Sequence, residues 1–236
     1  MLSVENMVVP MDSSDLSGTL TLAPGRRVAV LGPSGAGKST FLDALAGFRG
    51  LKVGQIRWSG EDLTRLPPDQ RPVSILFQDS NLFPHLSIFR NLTLALRPGG
   101  RAASPQDRLR IEGALKRVGL EGMGDRKPGS LSGGQQSRAA LARVMLQARP
   151  IILLDEPFSA LGPALKAEML ALVKEVAGNV GALVIMVTHD PADASSFAED
   201  VVLVAENKVH LPVATAAFFA NPPEAYREYV GVATEK

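Results

Sequence analysis

The run Gly32-Pro33-Ser34-Gly35-Ala36-Gly37-Lys38-Ser39-Thr40 constrains this chain more than any other stretch. It follows an apolar segment of strand character, Arg27-Val28-Ala29-Val30-Leu31, and precedes one of helical character over residues 41–48. A G-x-x-x-x-G-K-S pattern set between a strand and a helix predicts a loop whose backbone N–H groups converge on phosphate. The glycines allow the backbone to curl. The N-terminus of the following helix faces the same anion. Lys38 is expected to reach the outer phosphates of a nucleoside triphosphate, and Ser39 to hold Mg²⁺ through its hydroxyl.

The remaining composition narrows the setting. A chain of 236 residues can bury a full core. Its 25 basic and 24 acidic residues nearly cancel, so no nucleic-acid surface is expected. The absence of cysteine removes disulfides and thiolate metal sites. No uncharged apolar run approaches the roughly 20 residues that span a bilayer. No basic segment followed by an apolar core opens the chain, and the expectation is a soluble intracellular protein.

Strands alternate with helices along the sequence. Residues 1–31 read as short strands turning at Ala23-Pro24-Gly25, and Ile56-Arg57-Trp58 and Val73-Ser74-Ile75-Leu76-Phe77 as two more. Asp107 to Val118 carries Leu109, Ala114, Leu115 and Val118 at helical spacing. A helix follows from Gln135 to Leu146, then the apolar strand Ile151-Ile152-Leu153-Leu154, a helix over 164–177 and the strand Leu183 to Val187. A closing hairpin is expected about Glu206-Asn207, and a docked or frayed tail over 221–236. This order predicts a mostly parallel sheet covered by helices, an α/β fold. The expected division is a nucleotide-binding core of residues 1–84 and 148–236, with a helical lobe of residues 85–147 inserted.

Four further segments carry chemistry. Asp155 and Glu156 end an apolar strand, where open α/β sheets collect their ligands. Asp155 would coordinate Mg²⁺ beside Ser39, and Glu156 would polarise an attacking water; the alternative is an ordinary solvated acidic pair. Leu131-Ser132-Gly133-Gly134-Gln135 predicts an amide-rich turn at a helix start, which is a second anion site. One nucleotide has no use for two such sites unless the second serves a neighbouring molecule in a head-to-tail pair. The alternative there is a plain N-cap. Gln78 and His189 both follow apolar strands and would meet the outermost phosphate and the attacking water, although a lone histidine is often structural.

Taken in order, these segments resemble the ATP-binding cassette (ABC) ATPases, a branch of the phosphate-loop nucleoside triphosphatases, over nearly the whole chain. The phosphate loop of that family falls on residues 32–40, its glutamine loop on Gln78 and its signature turn on residues 131–135. Its magnesium aspartate falls on Asp155, its catalytic glutamate on Glu156 and its switch histidine on His189. The resemblance implies ATP and Mg²⁺ as ligands, the ion held by Ser39, Asp155 and Gln78. It also implies an N-terminal antiparallel β subdomain, a homodimer enclosing two ATP molecules, and two transmembrane permease domains as partners. The place it implies is the cytoplasmic face of a bacterial inner membrane, as a peripheral subunit.

Within that family, residues 66–78 and Asn81-Leu82-Phe83-Pro84-His85-Leu86 resemble the bacterial importers, above all those for thiamine or thiamine pyrophosphate. Such importers also depend on a periplasmic binding protein. Iron, sulfate, polyamine and molybdate importers share many of these residues. Non-transport relatives acting in DNA repair or translation insert a coiled coil or fuse two cassettes, and neither is visible. Leu82, Phe83, Leu86 and Ile88 would meet the permease or form a small satellite core. The chain departs from the family in having Gly162 where aspartate is usual and Gln136 where arginine is common. No aromatic ring lies in Val9-Pro10-Met11-Asp12-Ser13 to stack on adenine, which leaves Met11 to pack against the base.

Overall fold

The computed structural model describes residues 1–12, 14–77, 82–159 and 161–230. The chain opens with β1 (Leu2–Pro10) and β2 (Asp15–Leu22), an antiparallel pair. Its register shifts between Val4 and Met7, where Asn6 adopts a left-handed φ of 47°. The bulge restores the inward face, so Leu2, Val4, Met7 and Val9 are all buried despite the odd spacing. Next come β3 (Arg27–Leu31), α1 (Lys38–Ala46), β4 (Val53–Trp58), the short β5 (Glu61–Asp62) and β6 (Val73–Leu76). Three helices follow: α2 (Ile88–Leu96), α3 (Pro105–Arg117) and α4 (Gly133–Gln147). The remainder is β7 (Ile151–Asp155), α5 (Pro163–Val180), β8 (Leu183–Val187), α6 (Pro191–Phe197), β9 (Asp200–Ala205), β10 (Lys208–Val209), β11 (Val213–Ala214), α7 (Thr215–Ala220) and α8 (Glu224–Val230).

These strands join in the order β5-β4-β1-β2-β10-β9-β3-β8-β7-β6, with β11 beside β9. From β9 to β6 all neighbours are parallel, whereas β5, β4, β1 and β2 are antiparallel. The two halves meet where β10 pairs with β2 and with β9. The expected α/β architecture with an antiparallel N-terminal part is therefore present.

Alternation along the parallel strands builds two cores on opposite faces. Val28, Val30, Leu153, Ile185 and Val202 face α1 and the antiparallel strands. Ala29, Leu31, Leu154, Met186 and Leu203 face α4 to α8. Phe41 and Leu42 of α1 are fully buried, and at about 1.5–3 kcal/mol each such burial, rather than helix propensity, holds this short helix. A third core lies among α2, α3 and one face of α4. Helix α4 belongs to two cores at once, since Ala140, Leu141 and Val144 face the sheet while Ala139, Ala142 and Leu146 face α2 and α3.

Two sequence expectations need correction here. Leu109 does not contribute to the buried stripe of α3: it is 71% exposed, and Ile111 takes the inward position. The helix begins at Pro105, capped by Ser104, and that start sets which residues face inward. Ile88 is not available to a partner, being completely buried in the third core, while Phe83 remains 47% exposed. The tail docks through Tyr226, whose ring packs edge-on against Phe218 at 4.9 Å.

Candidate active site

Strand β3 ends at Leu31 and the chain turns at once into the phosphate loop. Gly32 has a φ of 152°, and a Cβ there would lie 1.9 Å from the Val204 carbonyl oxygen of neighbouring β9. No other residue fits that position. Gly37, with φ 102°, caps α1, and its missing Cβ would meet Met11 Sδ at 2.9 Å. Met11 therefore packs on the loop itself, joining the first core together with Ala36.

Lys38 is the first residue of α1 and folds back across the loop. Its ammonium donates to the carbonyl oxygens of Gly32 and Pro33 at 2.9 and 2.8 Å. Desolvation pushes its pKa down, opposed by the nearby Glu156 and Asp155 carboxylates. Ser39 Oγ donates to Asp155 Oδ1 at 3.4 Å across the gap between α1 and the end of β7. Burial raises the Asp155 pKa, and the Ser39 hydrogen bond partly offsets it. Two desolvated groups of opposite charge and a hydroxyl thus surround one end of α1, where the helix dipole favours an anion.

Glu156 adopts a left-handed φ of 44°, a conformation that costs a non-glycine residue about 1–2 kcal/mol. Its own N–H donates to the Val187 carbonyl at 3.1 Å, which pins the turn to the end of β8. The consequence is that consecutive carboxylates diverge. Asp155 faces Ser39, while Glu156 Oε2 lies 3.1 Å from His189 Nδ1. The His189 ring is 58% exposed and open toward solvent. Strained backbone of this kind clusters at functional sites in proteins.

Ser132 caps α4: its hydroxyl accepts from Gln135 N–H at 3.3 Å, and Gln135 Oε1 accepts from Ser132 N–H at 3.0 Å. The helix begins at Gly133, two residues before the position expected from sequence. Among the described residues no hydrogen bond or ion pair joins this turn to the phosphate loop, and Leu131 belongs to the third core, away from Met11 and Ala36. The structure thus brings together the phosphate loop, Asp155, Glu156 and His189 within one chain and leaves Leu131, Ser132, Gly133, Gly134 and Gln135 as a separate anion-type turn. Gln78 lies outside the described residues. Sequence reasoning passed over Lys166, whose ammonium meets the carboxylates of Asp190 and Asp193 directly behind His189. Pro163 and the apolar run after it signalled a helix there but not that contact.

A phosphate loop between a central parallel strand and its helix, facing carboxylates at the end of the next strand but one, defines a phosphate-loop nucleoside triphosphatase. This chain belongs to the ABC transporter family, which it matches over residues 17–159. It is 56% identical over 231 residues to the thiamine import ATP-binding protein ThiQ of Cereibacter sphaeroides, covering 98% of this chain and 100% of that protein. To the protein of the same name from a Ruegeria species it is 54% identical, with the same coverage. Among solved structures it resembles the dimeric post-hydrolysis state of the ATP-binding cassette MJ0796 bound to ADP and Pi. That match has a TM-score of 0.79 at 29% identity, covering 91% of this chain and 99% of the other.

Proposed function

We propose that this chain is the ATP-hydrolysing subunit of a bacterial importer whose solute is thiamine or thiamine pyrophosphate. The observation that carries the reading is the pairing of Glu156 with His189 at 3.1 Å, beside the cluster of Lys38, Ser39 and Asp155. The near-full-length likeness to two thiamine import ATP-binding proteins supports the solute.

ATP is the substrate, held by the backbone amides of residues 32–40 and by Lys38, with Met11 against the base. The donor set of one hydroxyl and one carboxylate suits Mg²⁺, which takes most of its ligands from phosphates and water. Ser39 and Asp155, with Gln78, would hold the ion, which would supply positive charge against the phosphates. Glu156 is the general base that draws a proton from water, and His189 holds that carboxylate and the terminal phosphate in line. The 131–135 turn serves the nucleotide of a second copy in a head-to-tail homodimer, so ATP draws the pair closed and hydrolysis releases it.

The inserted lobe of residues 85–147, against a core of residues 1–84 and 148–236, moves with that cycle. Two permease domains at the cytoplasmic face of the inner membrane bury exposed apolar groups such as Phe83. A periplasmic binding protein delivers the solute, and no nucleic acid takes part. Among the described residues no helix is long and apolar enough to cross a membrane.

The test is ATP-driven uptake of labelled thiamine into vesicles holding the chain with its permease and binding protein. Glu156→Gln is expected to abolish most hydrolysis and uptake while ATP-dependent pairing persists. Full steady-state turnover in that variant refutes the role of Glu156. Stimulated hydrolysis without thiamine or thiamine pyrophosphate uptake refutes the solute.

A further inference from the structure

His189 sits in a turn that is tied down on both sides. Thr188 Oγ1 donates to Asp193 Oδ2 at 3.3 Å and accepts from the Asp190 N–H at 3.1 Å. Asp190 caps α6 by accepting the Ala192 N–H on Oδ1 at 2.9 Å. Asp190 Oδ2 and Asp193 Oδ2, the latter the same oxygen that accepts from Thr188, both turn to one cation from another element. Lys166 Nζ, in the first turn of α5, donates to Asp190 Oδ2 at 2.9 Å and to Asp193 Oδ2 at 3.0 Å. The Lys166 and Asp193 side chains are each 18% exposed and that of Asp190 is 34%, so water screens the Lys166–Asp193 pair less than the Lys166–Asp190 pair. The bonds from Lys166 hold the Asp190 carboxyl below the usual carboxylate range, and the lysine is raised in turn.

The helix that carries Lys166 is itself fixed. Met169 and Val173 are fully buried in the second core. Leu165, one residue before the lysine, lies over Gly134 so closely that a Cβ there would come within 2.6 Å of Leu165 Cδ2. Glu168 accepts from Arg138 of α4 at 3.0 Å. One turn of α5 thus rests on the start of α4 through Leu165 and on the 188–193 turn through Lys166.

We propose that Lys166 is a positioning residue for ATP hydrolysis, locking the 188–193 turn onto α5 and so fixing His189 against Glu156. This rests on the hydrolytic reading given above. Without the ammonium, the carboxylates of Asp190 and Asp193 face each other with no counter-charge and repel. The turn then relaxes away from α5 and carries His189 with it. Nucleotide binding is set by the phosphate loop, which Lys166 does not touch, so the defect falls on turnover and not on affinity.

The test uses the full chain and the variants Lys166→Met, Lys166→Arg and Lys166→Met with Asp193→Asn. With three histidines in the chain, imidazole NMR signals report His189 directly, before any nucleotide is added. Lys166→Met is expected to shift the His189 signals while leaving those of His85 and His210 in place. Its kcat per nucleotide-binding site should fall about tenfold, with KM for ATP within about twofold. Lys166→Arg should restore both readouts, and the double variant should recover much of the rate because the surplus negative charge is gone. If Lys166→Met does not fold, Lys166→Gln, which keeps one donor, should show the same changes at smaller size.

Unmoved His189 signals overturn the proposal, whatever the ATPase result. A loss confined to the folded fraction, with unchanged kcat per binding site and no recovery from Asp193→Asn, also overturns it. Moved signals in a protein whose wild-type form hydrolyses no ATP would instead overturn the hydrolytic reading and leave the positioning contact standing.

Discussion

Replacing Arg71 by methionine should destabilise the fold more than any single surface change. Arg71 lies at the opposite end of α1 from the phosphate loop and is 2% exposed. Its Nη1 donates to the carbonyls of Ala44 and Leu45 at 2.8 and 2.9 Å, in the last turn of the helix. Nε donates to Leu66 O at 2.9 Å and Nη2 to Thr64 O at 3.1 Å, closing the segment that leads to β6. Carbonyls in a last helical turn lack partners within the helix. The guanidinium supplies those partners and places a cation at the negative end of the dipole.

Arg71→Met keeps comparable bulk but removes all four bonds. A buried carbonyl left unpaired costs about 1–3 kcal/mol. A cavity of about 740 Å³, lined in part by Arg71, Thr64 and Leu66, lets water reach some of these groups. Ala44 O keeps a second partner in the Gly47 N–H at 3.3 Å, so the lower figure applies to the other three carbonyls, and their sum is about 3 kcal/mol. The assay is urea unfolding of the nucleotide-free chain with heat unfolding beside it, where a loss of this size lowers Tm by about 6–12 °C. ATP at about 100 times its Kd adds about 2.7 kcal/mol to any form whose phosphate loop still assembles. Arg71→Lys keeps the charge but not the fork, and should lose about half as much. A loss below about 1 kcal/mol for Arg71→Met would refute the capping argument, since a single orphaned carbonyl alone costs at least that much.

Two further outcomes follow from local geometry. Gly162 occupies the N-cap of α5 with extended backbone and no side-chain cap, and a Cβ there meets nothing within 4 Å. Gly162→Asp should therefore stabilise the chain by a few tenths of a kcal/mol, read as a small rise in the urea midpoint; a lower midpoint would show that the site is crowded. Asp107 accepts from the Ser104 N–H and hydroxyl and from Arg97 Nε, which together hold its pKa down to about 2. The sign follows from a folded value below the unfolded one: the stabilisation is complete above the unfolded pKa and is lost as pH falls toward 2. Urea midpoints measured between about pH 6 and pH 3 should fall less steeply in Asp107→Asn than in the parent, and parallel curves would contradict the assignment.

Much of the site was legible in the sequence because its parts are local. The phosphate loop is a backbone conformation, and only glycine at positions such as Gly32 permits it, so the pattern survives in the letters. The parallel strands were visible for a similar reason: burial on both faces requires continuous apolar runs such as Ile151 to Leu154. Leu109 was misplaced because helical spacing alone does not say which of two apolar stripes faces inward. The bulge at Asn6 was invisible, since nothing in the alternation of β1 marks where a residue is inserted.

By itself, the order of residues determined the glycine-rich loop, the strands that flank it and the carboxylates that follow, because each depends on neighbours a few positions away. Only the tertiary structure decided that Glu156 turns to His189, 33 residues distant, while Asp155 turns to Ser39. It also decided that Arg71 closes α1 and that Lys166 braces the turn behind His189. Those contacts depend on strand order and on the left-handed backbone at Glu156, and packing across the sheet sets both.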